Sequence, residues 1–243
     1  MQLLTSVSMA DAVDRLEEWR RHYNNDRPRT SIGHACHDVR LVTGRSGIAM
    51  ALPANFINEG SAKGGAAGFA SVTGPEASFA GSCSGETLRQ IEVHSANHPI
   101  LNVDVDSLLR GELEPSHLAE FILKRAGHAP LVFPSGSSDQ VRAVLKKYGR
   151  EELASRLDRL FSETAQAVVN AGVRRLVVAG GETSGAVVSA LGLGELMIGP
   201  EIDPGVAVPF TQGESPIALA LKSGNFGSRD FFSKALRHLE QPN

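Results

Sequence analysis

Short apolar runs that end in glycine or small polar residues punctuate the chain, at Val39–Thr43, Ser78–Gly81, Ile100–Val105, Leu131–Phe133, Leu176–Ala179, Leu196–Ile198 and Ile217–Leu221. Their length and the turn residues behind them predict buried strands. Between them apolar residues recur at helical spacing. Gly85–Ala96 and Ser116–Ala126 read as helices. Ser138–Ala171 reads as two, divided at Tyr148-Gly149-Arg150, and a last amphipathic helix runs from Ser228 through Phe231, Phe232, Leu236 and Leu239. Strands alternating with helices predict an α/β fold: a mostly parallel sheet with helices on both faces, three-layered and doubly wound. Residues 1–38 break the pattern, with a charged helix and a polar Asn24-Asn25-Asp26-Arg27-Pro28 turn. They read as an N-terminal appendage or the remnant of a preceding domain, and 39–243 as one domain.

Composition removes several functions. The net charge of -3 over 243 residues gives no electrostatic reason to expect nucleic acid. No apolar run approaches the roughly 20 residues that span a bilayer, so no membrane partner is expected. Two cysteines, Cys36 and Cys83, imply no disulfide framework and fit a cytoplasmic protein. The 25 glycines matter more, because they cluster in loops, where backbone can approach a ligand.

The strongest such loop is Gly180-Gly181-Glu182-Thr183-Ser184-Gly185, between an apolar strand and a helix. Unpaired N–H groups at a helix start, with the positive end of the helix dipole, favour an anion. The plain alternative is a tight turn whose Thr183 or Ser184 only caps the helix. Thr43-Gly44-Arg45-Ser46-Gly47 and Gly81-Ser82-Cys83-Ser84-Gly85 are weaker turns of the same kind. A fourth, Lys222-Ser223-Gly224-Asn225-Phe226-Gly227, adds a lysine able to pair with phosphate or simply to lie solvated beside a turn. Strand ends of a parallel sheet share one edge, where open α/β folds bind ligands.

Other chemistries fit poorly. The chain has no Gly-x4-Gly-Lys-Ser/Thr loop, no complete dinucleotide fingerprint and no Gly-x-Ser-x-Gly elbow. His34, Cys36 and His37 lack a fourth partner for a zinc site, so no metal ligands are assigned. Asp203, in Glu201-Ile202-Asp203-Pro204-Gly205, reads as a turn residue before a metal ligand.

Ala179–Gly185, Ile198–Val206 and Leu219–Gly227, completed by Asp230-Phe231-Phe232, resemble the closing signature of the four-carbon acid-sugar kinases, once known only as a domain of unknown function, DUF1537. Thr43–Gly47 with Leu52, Pro53, Asn55 and Phe56, and Gly81–Ser84 with Thr87 and Gln90, resemble earlier segments of that family. The resemblance implies that 39–243 is a nucleotide-binding domain using ATP and Mg²⁺. It implies phosphorylation of the terminal hydroxyl of an acid sugar such as 3-oxo-tetronate, threonate or erythronate. Ser82, Ser84, Gly180, Gly181, Glu182, Thr183, Ser184, Lys222, Gly224, Asn225 and Gly227 would form the ATP site.

Two departures qualify it. Arg45 replaces a small residue, and the family's Asp-Asp-x-Thr-Gly motif is nowhere in the chain. The expected partners are therefore a small-molecule acid sugar, held by an N-terminal domain missing here, and a second copy in a homodimer. The acceptor base is expected in the missing half, leaving no catalytic residue assigned. The competing expectation is a noncatalytic nucleotide-binding module acting through a partner.

Overall fold

The computed structural model describes residues 55–61, 63, 69, 71–81, 84–135 and 148–240. The chain divides into two compact units, Met1–Lys63 and Gly64–Asn243. Within the first, 55–58 form a short helical turn. The expected appendage over 1–38, the strand at Val39–Thr43, the Thr43–Gly47 turn and the His34, Cys36 and His37 group lie outside the described residues, as does Ser82.

The second unit is built on one sheet. Its elements are β1 (Glu76–Ala80), α1 (Gly85–Ser95), β2 (Ile100–Asp104), α2 (Val105–Leu109), α3 (Pro115–Leu123), β3 (Leu131–Ser135), α4 (Arg150–Asn170), β4 (Arg175–Ala179), α5 (Gly181–Leu191), β5 (Met197–Asp203), β6 (Val206–Phe210), β7 (Ala218–Lys222) and α6 (Phe231–Glu240). The sheet order is β2-β3-β1-β4-β7-β6-β5. The first five strands in that order pair in parallel, whereas β6 runs antiparallel to both β7 and β5. The α/β, mostly parallel expectation holds.

Side-chain alternation explains the layers. Ala77, Phe79, Leu176, Val178 and Leu219 turn to one face, where buried residues of α2, α3, α4 and Val187 of α5 cover them. Ala80, Val177, Ala179, Ala218 and Ala220 turn to the other, under Ile91 of α1 and Phe231, Phe232, Ala235, Leu236 and Leu239 of α6. β1 and β4, covered on both faces, are buried at every position, which is why their sequences are nearly continuous apolar runs. On α4, Leu153, Leu157, Leu160, Phe161, Ala165 and Val168 follow the helical repeat and are all buried.

A helix does begin at the Tyr148-Gly149-Arg150 break: Gly149 sits at φ 85° and α4 starts at the next residue. The far side of the sheet departs from expectation. The run Leu196–Ile198 holds only the start of β5, which folds back on β6, a strand the apolar pattern did not announce. Pro204 and Gly205 make the connection, with Gly205 at φ 81° donating its N–H to Glu201 Oε1.

Candidate nucleotide-binding site

Helix α1 leaves β1 toward one face and α5 leaves β4 toward the other. A crevice opens where adjacent connections diverge in this way. Three glycine loops meet there, and hydrogen bonds join them. Gly81 N–H donates to Ala179 O and Gly180 N–H to Lys222 O, both at 2.8 Å, so the ladder continues past the strand ends. Gly81 also has no room for a side chain: a Cβ there would overlap the hydroxyl of Thr183.

Gly180 holds φ 125°, which side chains rarely adopt, and precedes α5 without a side-chain cap. The first backbone bond of α5 runs from Ser184 N–H to Gly180 O. The amides of Gly181, Glu182 and Thr183 therefore remain as the open donors of the helix start. Gly181 faces open space: among the described residues, its own helix backbone and chain neighbours aside, no atom lies within 4 Å of where a Cβ would stand. The two hydroxyls behave differently from a phosphate clamp. Thr183 is buried and donates to Asp158 Oδ1 at 2.7 Å, while Ser184 Oγ is aimed at Val178 O at 3.4 Å. Glu182 is exposed.

The third loop is pinned from below. Ser84 caps α1, accepting from Thr87 N–H, and its hydroxyl lies 2.7 Å from Gly224 O. Thr87 Oγ1 donates to the same carbonyl at 2.8 Å. Lys222 Nζ lies 3.0 Å from Thr87 Oγ1 and 3.1 Å from Gly224 O. Only 2% of Lys222 is exposed, and burial pushes its pKa down to about 8 against the opposing pull of Glu86. Its ammonium is thus turned into the protein. Gln90 Nε2 reaches the carbonyls of Phe226, Gly227 and Ser228 at 3.1, 3.0 and 2.9 Å. Asn225 is exposed at the tip.

Asp203 anchors the far end of this loop. Its Oδ2 accepts from Ser228 N–H and Oγ, and Oδ1 from Lys234. Burial alone would raise its pKa, but these bonds outweigh burial and hold it below the ordinary carboxylate range. Among the described residues no group of His, Cys, Asp and Glu is placed to hold a metal ion. Among them, too, no helix is long and apolar enough to cross a membrane.

The structure thus gathers Ser84, Gly180–Ser184, Lys222, Gly224, Asn225 and Gly227 at one sheet edge. Sequence reasoning assigned no role to Asp158, and it met Thr87 and Gln90 only within the family resemblance. For the latter pair a signal existed: both are polar yet share the buried face of α1 with Ile91 and His94.

Comparison with known proteins follows the same outline. The family of nucleotide-binding C-terminal domains matches residues 77–232. The chain is 43% identical over 236 residues to a 3-oxo-tetronate kinase of Pseudomonas savastanoi pv. phaseolicola, covering 96% of this chain and 52% of that protein. It is 41% identical over 218 residues to a 3-oxo-tetronate kinase of Burkholderia multivorans, covering 89% and 51%. A crystal structure of a Haemophilus influenzae DUF1537 protein superposes with a TM-score of 0.70 at 32% identity, over 83% of this chain and 48% of that one. The chain spans about half the length of the curated relatives it matches.

Proposed function

Because the chain belongs to the family of nucleotide-binding C-terminal domains, we propose that it is the ATP-binding part of a kinase acting on the terminal hydroxyl of a four-carbon acid sugar of the 3-oxo-tetronate type. The observation that carries this reading is the joining of the Gly81, Gly180 and Gly224 loops at the crevice between α1 and α5. Relatives bearing the name 3-oxo-tetronate kinase support the substrate class.

In this reading the amides of Gly181, Glu182 and Thr183 receive phosphate oxygens, and the absence of side chains at Gly180 and Gly181 lets the phosphates reach them. Thr183 and Ser184 hold the turn through their hydroxyls, and of the two only Thr183 offers the ligand a free main-chain amide. Mg²⁺ would accompany the nucleotide, spreading the charge of the transferring phosphoryl group. Such an ion needs only one or two protein carboxylates beside phosphate oxygens and water. Glu182, exposed at the start of α5, suits that part. Phosphoryl transfer rests on positioning and charge neutralisation. Turnover accordingly requires an acid-sugar-binding half to present the acceptor hydroxyl. A second reading, a nucleotide-binding module that works with a separate polypeptide, uses the same loops.

Calorimetric titration of the chain with a nonhydrolysable ATP analogue and Mg²⁺ tests the proposal. Gly181→Val is the decisive variant, because the protein has room for the side chain and a phosphate would not. Saturable binding that falls at least about tenfold in the variant, some 1.4 kcal/mol, is the expected result. A folded parent that binds no nucleotide would overturn it. Rapid phosphorylation of threonate by these 243 residues alone would overturn the need for a second half.

A further inference from the structure

Building on the nucleotide reading, we propose that Lys222, Thr87 and Gln90 are positioning residues that hold the 223–228 loop so that the amides of Asn225 and Gly227 face the ligand. The geometry of the peptide unit is the starting point. In a trans peptide the N–H points opposite to the C=O of the preceding residue, and the described chain has no cis bond. Whatever captures a carbonyl therefore also aims the next amide. Thr87 Oγ1 and Lys222 Nζ, together with the Ser84 hydroxyl, draw Gly224 O toward the first turn of α1, so Asn225 N–H points away from it. Gln90 draws Phe226 O into the same helix, so Gly227 N–H points away too.

The next unit supports the rule within the same loop. Gly227 O goes to Gln90, and the Ser228 N–H that follows goes the other way, to Asp203 Oδ2. Phe226 N–H closes a turn on Ser223 O. Among the described residues, no protein acceptor takes the amides of Asn225 and Gly227. They are two open donors at the tip of a loop that already borders the open amides of α5.

Lys222 itself points the same way. It is almost wholly buried, yet among the described residues no carboxylate lies within ion-pair distance of its ammonium. A buried, unpaired charge costs stability, so hydrogen bonding to Thr87 and Gly224 is an unfavourable way merely to fold a turn. It suits a carbonyl that must be held inward where a phosphate approaches, since the charge then favours the anion without contact. Gln90 is similarly committed: its Nε2 serves three carbonyls while its buried Oε1 has no partner among the described residues.

Titration of Thr87→Val, Lys222→Met and the double variant with the ATP analogue tests this, alongside ¹⁵N-labelled amide spectra. Each single change should weaken binding about tenfold or more, and the double little beyond the weaker single, because both act through one carbonyl. Thr87→Ser, which keeps the hydroxyl, should restore affinity even if Thr87→Val loses stability. The Asn225 amide signal should move in Thr87→Val and Lys222→Met, and stay in Thr87→Ser. Unchanged affinity in the single variants would overturn the positioning role alone, as would strictly additive losses, which would make Lys222 an independent phosphate contact. A wild-type chain that binds no analogue, with the amide shifts still present, would overturn the nucleotide reading and the purpose assigned to the loop.

Discussion

The two edges of this sheet are made of the same strands and built from opposite materials. β1 starts at Glu76 and ends before Gly81; β4 starts at Arg175 and ends before Gly180. At the starting edge Arg175 bonds Glu76 at 2.7 Å and Glu240 at 3.1 Å, and Glu76 also takes the Ala129 N–H. A cavity of about 770 Å³ opens there, its walls including Arg125, His128, Arg237 and the Arg175 network. At the finishing edge main chain, hydroxyls, the Gln90 amide and the Lys222 ammonium join the loops, and the carboxylates of Asp158 and Asp203 sit behind them. The contrast separates two tasks. Fixed charge pairs tie the strand starts together beside that cavity. Glycine and bare N–H groups leave an edge open for charge that arrives with a ligand.

The largest expected effect comes from breaking the charge-paired edge. Arg175→Met strands a buried Glu76 and should cost about 3–5 kcal/mol in urea denaturation, while analogue affinity of the folded fraction stays close to wild type. Equal loss of both would show that the edges are one unit. Next comes His94, whose Nε2 bonds Ala129 O at 2.8 Å and which packs on Phe232. Burial depresses its pKa to about 4, so it stays neutral in the folded chain. The unfolded chain protonates first as pH falls below about 6.5, and stability should drop by about 3 kcal/mol between there and pH 4. His94→Gln should flatten that portion of the stability–pH curve, and an unchanged slope would assign the loss elsewhere.

Gly81→Ala strikes the open edge. The new Cβ collides with Thr183, at about 1–3 kcal/mol of stability, and analogue affinity should fall about tenfold or more, the reverse balance to Arg175→Met. The smallest effect is expected from Glu152→Gln. It removes an exposed pair with Arg156 on α4, and should stay within about 0.5 kcal/mol with unchanged binding.

Much of this design was legible in the chain. The central parallel strands read as apolar runs because both their faces are covered, and the loops were visible because glycine follows β1 and β4 at once and β7 after one residue. β6 was hidden: Val206-Ala207-Val208-Pro209-Phe210 follows a Pro-Gly turn and contains a residue that cannot donate to a ladder. The directions of two side chains were also hidden. Whether Lys222 points out to phosphate or into the protein depends on Thr87, 135 residues away. Thr183 looked like a phosphate donor until α4 brought Asp158 beneath it, and Asp158 by itself resembles any charge on a solvated helix face.

The crowding between Gly81 and Thr183 ties two distant positions into a single inheritable unit. A side chain at 81 would meet the Cβ of Thr183 at 2.7 Å as well as its hydroxyl, so shortening the neighbour to alanine would not relieve it. Only glycine at 183 makes space, and that change takes from Asp158 the hydroxyl it accepts. Gly81→Ala should therefore be rescued in part by Thr183→Gly. Across related sequences, a substituent at the first position should be found with glycine at the second, with the residue at position 158 released to vary.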